Sequence, residues 1–224
     1  MSQNARDQIL GNIRRGLGRG ELSQQAQTQL RERIGQHPRH TIPARGQLDA
    51  EGQVALFRSM AEEAAAELID IDSLEKLPIA VADFLQQNQL KQLLRGSDAA
   101  LEALDWGPLE GIKVESRPVQ AGDPISLTLS FAGIAETGTL MLHSGPNSPT
   151  TMNFLTDIHL VALRQSQIVG FYEQAWQQLR ETVGENWPRT VNMITGPSRS
   201  ADIEQRLQMG AHGPKRLVIF MIND

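Results

Sequence analysis

The sequence predicts an α/β protein: a three-layer α/β/α domain built on a mainly parallel sheet, with an added N-terminal helical arm. Two observations support this fold class. Short apolar segments alternate with segments of helical periodicity, which is the order typical of parallel strands joined by crossover helices. In addition, the last strand candidate, Leu217–Ile222, is apolar at every position, as expected of a strand covered on both faces.

The arm is predicted to comprise residues 1–46. Its first helix is indicated by four apolar residues that share one helical face: Ile9, Leu10, Ile13 and Leu17. A weaker, Gln-rich helix is expected over Leu22–Ile34. The segment Gly35–Gln47 contains two prolines and two glycines without periodicity, so we interpret it as a linker.

The body, residues 47–224, is predicted to alternate strands and helices. Apolar positions on one face indicate its first helix: Val54, Phe57, Met60, Ala61 and Ala64. Further helices are expected over 74–87, 99–104, 171–183 and 201–209. Strands are expected over 67–72, 91–95, 112–119, 126–131, 139–143, 159–169, 190–195 and 217–222.

Composition excludes several classes of protein. No run approaches the roughly 20 apolar residues of a membrane span, and no apolar signal region opens the chain, so a cytoplasmic location is expected. The arm carries eight arginines against three acids, whereas the body carries a net charge of −10. Since the body repels phosphate and the arginines are not interleaved with aromatics, nucleic acid is not an expected partner.

The absence of cysteine limits the chemistry further. It excludes disulfides, a thiolate nucleophile and an iron–sulfur cluster held by cysteines of this chain. The five histidines do not show a metal-binding spacing with carboxylates, so neither a metal site nor a cofactor is expected in this chain.

The turn TGPSRSADIEQRL, residues 195–207, is the first candidate site. Gly196, Ser198, Arg199 and Ser200 stand where a helix is predicted to begin, and unpaired helix N–H groups there favour an anion. These residues are predicted to bind a carboxylate or phosphate, with the guanidinium as a bidentate clamp. The alternative is that the serines only cap the helix while its acidic first turn pairs with Arg199.

The loop GIAETGTLML, residues 133–142, is the second candidate site. Its glycines bracket a lone carboxylate, Glu136, which we predict to act as a general base or a nucleophile. Thr137, Gly138 and Thr139 are then expected to hold the substrate. The alternative is a hairpin turn with a solvated acid.

His212, in GAHGPKR, is the third candidate, as a catalytic acid or base or as a cation at a helix end. The four loops after Phe131, after His143, after Thr195 and before Leu217 carry most of the distinctive residues. We expect them to meet at the carboxyl edge of the parallel sheet, where ligands of such folds bind.

Three motifs in this order, GIAETGT (133–139), TGPSRSADIE (195–204) and GAHGP (210–214), closely resemble the LUD-domain proteins, specifically the lactate utilization protein C group. The resemblance covers the whole body and the start of the N-terminal helix. It implies a fold similar to sugar-phosphate isomerases and CoA transferases. Two departures are a missing proline in NFLTDIHL (153–160) and Ser200 where the motif usually has Thr.

The resemblance also implies a function. With two iron–sulfur companion proteins, the chain is expected to take part in oxidising L-lactate to pyruvate, as an accessory subunit that binds a small anionic metabolite. The alternative is an independent enzyme, similar to CoA transferases or isomerases, that uses Glu136.

Overall fold

The computed structural model describes residues 3–39, 41–120, 122–200, 208–209 and 212–224. The chain divides into two compact units, the first ending at Thr41 and the second running from Ile42 to Asp224. The predicted boundary at residues 46 and 47 lies five residues later.

The first unit contains two helices, α1 (Gln3–Gly16) and α2 (Gln24–Gln36). Ser23 caps α2 by accepting the amide N–H of Ala26 on its hydroxyl at 3.2 Å. The apolar residues of both helices are largely exposed. Among the described residues, no helix is long and apolar enough to cross a membrane.

The described residues of the second unit form four further helices, which are α3 (Ala50–Glu63), α4 (Leu77–Gln87), α5 (Ala99–Glu102) and α6 (Tyr172–Val183). Its strands are β1 (Glu67–Ile71), β2 (Gln92–Arg95), β3 (Lys113–Glu115), β4 (Ile125–Leu129), β5 (Ala132–Ile134), β6 (Thr139–His143), β7 (Ile158–Arg164), β8 (Ile168–Val169), β9 (Val191–Ile194), β10 (Arg199–Ser200), β11 (Gln208–Met209) and β12 (Arg216–Ile222).

A six-stranded sheet in the order β1-β12-β7-β4-β2-β3 forms the centre of this unit, and all its strand pairs are parallel. The alternation along β12 explains why its sequence is uniformly apolar. Val218, Phe220 and Ile222 pack into one core and Leu217, Ile219 and Met221 into another, so both faces are covered.

Helices cover the two faces. On one face, α4 and α5 contribute buried residues to the first core, including Val81, Phe84 and Leu101. On the other face, Phe57 and Ala61 of α3 pack in the second core. This arrangement confirms the predicted α/β/α layers.

A second sheet has the strand order β8-β5-β6-β9. It packs in the second core, on the same face of the main sheet as α3. It is mixed, because β6 pairs antiparallel with β5 and β9 whereas β8 pairs parallel with β5. A third core packs this sheet against α6 through Ala132, Ile134, Met141 and Leu179.

Several predicted elements need correction. The strand expected over 159–169 is interrupted after Arg164 by a 3-10 turn, and its end, β8, belongs to the second sheet. The strand expected over 112–119 is confined to Lys113–Glu115, and β5 was not predicted. The helix expected over 201–209 is wrong at its end, since Gln208–Met209 is a strand antiparallel to β10; residues 201–207 lie outside the described residues.

Candidate functional site

A pocket of about 260 Å³ lies at the edge of the main sheet where β7 and β12 begin. We call it the amino-edge pocket. Four parts of the chain supply its described walls: the turn before β7, the first residues of β7 and β12, the end of β9 with the turn that follows, and the segment before β12. Its described lining residues are Asn153, Phe154, His159, Met193, Ile194, Thr195, Gly196, Pro197, Ser198, His212, Gly213, Pro214 and Leu217.

His159 is a fully buried polar residue in the wall of this pocket. Its Nε2 lies 2.8 Å from the hydroxyl oxygen of Thr128 on the neighbouring strand. Its Nδ1 is buried and has no hydrogen-bond partner among the described residues. Burial lowers the pKa of His159 to about 3, because the low-dielectric interior disfavours the imidazolium. The ring is therefore neutral at pH 7, with one nitrogen left for a ligand.

Asn153 is the second buried polar residue of the wall, with 3% of its surface exposed. Its Oδ1 is buried and, within the part of the chain that the structure describes, lacks a hydrogen-bond partner. The 3-10 turn that carries it is fixed to the sheet by Ser126, whose hydroxyl donates to the carbonyl of Met152 at 2.6 Å. An unpaired buried polar atom costs about 1–3 kcal/mol, so two such atoms on side chains of residues that line one pocket indicate a place for a polar ligand.

The turn after β9 forms another wall, and it is built against the C-terminal end of α3. Gly196 has a φ of 70°, and a Cβ there would lie 2.1 Å from the carbonyl oxygen of Ala64. The Arg199 guanidinium donates to the same carbonyl at 3.2 Å, where a positive charge is favourable at a helix C-terminus. Arg199 is thus placed as a cap on α3 and does not line the pocket in the described part of the chain.

Ser198 and His212 stand together at the pocket. The Ser198 amide donates to the carbonyl of Pro214 at 2.8 Å, and its hydroxyl accepts the amide N–H of His212 at 3.4 Å. The His212 side chain is on the exposed rim. The first two residues of the GAHGP motif, and the side chain of Ser200, lie outside the described residues.

Glu136 does not line this pocket. It is 5% exposed, in a 3-10 turn between β5 and β6, and its Oε1 accepts the amide N–H of Tyr172 at 3.1 Å. Tyr172 is the first residue of α6, so the carboxylate satisfies one of the unpaired N–H groups there and meets the positive end of the helix dipole. Its contacts are those of a helix cap rather than those of a base poised over a substrate.

The other residues of this loop pack inward as well. Gly138 has a φ of 63°, and a Cβ there would lie 2.3 Å from the amide nitrogen of Ala61 in α3. The hydroxyl of Thr139 is the centre of a cluster: it lies 2.7 Å from that of Thr137, 3.0 Å from that of Tyr172 and 2.6 Å from that of Thr195. We call these four residues the hydroxyl cluster; through Thr195 it reaches the amino-edge pocket.

The structure therefore brings together Gly196, Ser198 and His212 among the predicted site residues, and links Thr137 and Thr139 to them through Thr195. The expectation that the four loops meet at the carboxyl edge is wrong. The turn after Thr195 and the segment before Leu217 lie at the amino edge, since β12 begins there.

His159 and Asn153 are the residues that sequence reasoning missed. A signal was present in β4, where Ser126 and Thr128 alternate with apolar residues, whereas parallel strands covered on both faces are usually apolar at every position. Register places Ser126 beside His159, so these polar residues share one sheet face.

The charge of the pocket is also informative. Among its described lining residues there is no carboxylate, while two histidines, an amide and two hydroxyls are present. No group of three or more potential metal ligands occurs among the described residues. The site thus offers hydrogen bonds to a small polar ligand and does not repel a negative charge.

Comparisons with a family model and with curated proteins indicate the same family. The LUD domain model matches residues 50–222. Lactate utilization protein C of Macrococcus caseolyticus is 32% identical over 127 residues, which are 56% of this chain and 54% of that protein. The protein of the same name from an Exiguobacterium species is 28% identical over 179 residues, covering 75% and 76%.

The alignments with several of these relatives span about half of the relative's length. The crystal structure of a DUF162 family protein from Deinococcus radiodurans superimposes with a TM-score of 0.60 at 20% identity, covering 78% of this chain and 99% of that one. At this identity the similarity shows the fold.

Proposed function

The chain belongs to the LUD domain family, as its three motifs predicted, and we propose that it is a non-redox accessory subunit of a lactate-utilisation system that binds a small hydroxycarboxylate in the amino-edge pocket. The names of its relatives support the lactate-related role. The observation that carries the ligand assignment is the pair of unpaired buried polar atoms, His159 Nδ1 and Asn153 Oδ1.

The chemistry of a 2-hydroxy acid fits this pair. Asn153 Oδ1 is an acceptor, so it requires a donor such as the α-hydroxyl of lactate. The carboxylate of the ligand then meets a wall without acidic groups among the described residues, where Ser198 and the two histidines are present. The neutral imidazole of His159 supplies a donor or an acceptor according to its tautomer.

Electron transfer is assigned to partners. The chain has no cysteine to hold an iron–sulfur cluster, so the electrons released when L-lactate becomes pyruvate would pass to two iron–sulfur companion proteins. The arginine-rich arm, with its exposed apolar residues, is proposed to contact them. The alternative of an independent enzyme based on Glu136 gains no support from the contacts of that carboxylate.

Calorimetric titration with L-lactate and with pyruvate tests the ligand. We expect saturable binding of L-lactate to the wild type, and at least about tenfold weaker binding to Asn153→Asp, which places a carboxylate in the pocket with little change in size. Asn147→Asp is the matched control, because Asn147 lines a separate pocket. Equal affinities of the wild type and Asn153→Asp would remove lactate from this site.

Arg199→Ala separates two roles in the same titration. If Arg199 binds the ligand, as its sequence motif predicts, the variant loses lactate binding and keeps its stability. If the guanidinium only caps α3, the variant keeps lactate binding and loses about 1 kcal/mol of unfolding free energy.

Reconstitution tests the accessory role. Lactate-dependent dye reduction is measured with the companion proteins in the presence of the full chain, of a chain lacking residues 1–41, and without the chain. We expect the shortened chain to co-purify poorly with the companions although its cores lie entirely within the second unit. Full activity of the companions alone would contradict a role in this step.

A further inference from the structure

A second pocket, of about 360 Å³, lies at the opposite edge of the main sheet, where β2, β4 and β7 end. We call it the carboxyl-edge pocket. The residues that line it include Asp98, Phe131, His143, Gly145 and Asn147. In open α/β sheets this is the edge at which ligands bind, and no residue of this pocket takes part in the function proposed above.

Two of the residues that line this pocket each have a buried polar atom with no hydrogen-bond partner in the described structure, namely Asp98 Oδ2 and His143 Nδ1. Asp98 precedes α5, yet its side chain does not cap that helix. Gly96 makes room for the carboxylate, since a Cβ at that position would lie 2.7 Å from Asp98 Oδ2. The His143 ring is held by an edge contact with Phe131, with 5.5 Å between ring centroids.

The electrostatics of this pocket differ from those of the first one. Burial raises the pKa of Asp98, an effect that its own amide and the nearby His143 oppose. No lysine or arginine stands among the described lining residues. Arg95, at the end of β2, is engaged by Glu102 at 2.7 Å, so it does not serve as the counter-ion of Asp98.

A carboxylate that is partly withdrawn from water, with no lysine or arginine beside it among the described lining residues, is stabilised by a ligand that brings a positive charge. We propose that the carboxyl-edge pocket binds a small molecule bearing an ammonium group, with Asp98 as its counter-ion and His143 as a second polar contact. An acidic metabolite is disfavoured there by the same carboxylate, so the two pockets select ligands of opposite charge.

The test is a titration of the full chain with ethanolamine, followed by calorimetry and by NMR of the histidine imidazoles. Ethylene glycol, which has a hydroxyl in place of the ammonium group, is the neutral comparison. We expect ethanolamine to bind saturably at millimolar concentration, ethylene glycol to bind at least about tenfold more weakly, and Asp98→Asn to weaken ethanolamine binding by a similar factor.

Two further variants keep the test decisive. His143→Gln is expected to weaken ethanolamine binding several-fold, and it serves in place of Asp98→Asn if that variant does not fold. Asn153→Asp changes the other pocket and is expected to leave ethanolamine binding unchanged. The proposal is overturned if ethanolamine does not bind saturably up to about 50 mM, if ethylene glycol binds equally well, or if the folded pocket variants bind as the wild type does.

Discussion

The two edges of the main sheet carry two different kinds of pocket. The amino-edge pocket is walled by a turn that packs tightly on α3, and its unpaired atoms belong to side chains that are neutral at pH 7, His159 and Asn153. The carboxyl-edge pocket is lined by Gly145, where an added Cβ would have no neighbouring atom within 4 Å, and by the acid Asp98. The position of ligands in open α/β sheets favours the carboxyl-edge pocket, whereas residues of two of the three motifs, TGPSRSADIE and GAHGP, line the amino-edge pocket. Fold and motif thus indicate different sites in one molecule.

The largest expected effect is on the free energy of unfolding, and it depends on how tightly the glycines in the walls of the two pockets are packed. Gly196→Ala is expected to lower the free energy of unfolding by about 3–5 kcal/mol, because φ is positive and the new methyl group meets the carbonyl of Ala64. Gly145→Ala, in the carboxyl-edge pocket, has open space around the new methyl and is expected to cost less than about 0.5 kcal/mol. Urea unfolding of both variants makes the measurement, and equal costs would show that the walls do not differ in this way.

The next effect concerns pH and belongs to the amino-edge pocket. The pKa of His159 is about 3 in the folded state against 6.5 for an ordinary histidine, so the unfolded chain takes up its proton first as pH falls. The contribution of His159 to stability is therefore complete above pH 6.5 and declines between pH 6.5 and 3, by several kcal/mol at the acid end of this range. His159→Gln is expected to remove most of this decline in urea unfolding measured across that range.

Asp123 provides the control for the pH experiment. Arg117 holds the pKa of that carboxyl well below its usual range, through a bond of 2.8 Å. Its contribution is present above about pH 4 and is lost only as pH falls further, towards the pKa of the folded state. Asp123→Asn should consequently leave the decline between pH 6.5 and 4 in place, and a decline that disappears in this variant would contradict the assignment to His159.

The smallest expected effect concerns the hydroxyl cluster behind the amino-edge pocket. Thr139→Val keeps the shape of a fully buried side chain and removes the hydroxyl that contacts three others, so a loss of about 1–2 kcal/mol is expected. Thr150→Val removes an exposed hydroxyl pair with Thr190 and should cost less than about 0.5 kcal/mol. A larger cost at Thr150 would mean that burial does not govern these contacts.

Sequence reasoning recovered the layers and most elements because periodicity is local. The apolar run of β12 and the helical faces of α3 and α6 were recognised from a few consecutive residues. The split between β7 and β8 was missed, since both segments are apolar and only tertiary contacts assign them to different sheets.

The site was less accessible to sequence reasoning because its contacts join distant residues. Glu136 stands in a glycine-bounded loop, which suggests chemistry, but its partner is the N–H of a residue 36 positions later. His159 looked like an ordinary strand residue, and its importance depends on the pocket that Asn153 and the turn after β9 complete. Residue type and spacing along the chain do not show which distant residues come into contact.

The hydroxyl cluster has a practical consequence for the study of this chain. Tyr172 is the only tyrosine in the sequence. Its phenol hydroxyl contacts the hydroxyl of Thr139, which in turn contacts that of Thr195 in the pocket wall. A ligand that draws Thr195 away changes the hydrogen bonding of a single phenol ring. The NMR signal of isotope-labelled tyrosine therefore reports on ligand binding at that wall of the pocket, without a dye or an introduced residue.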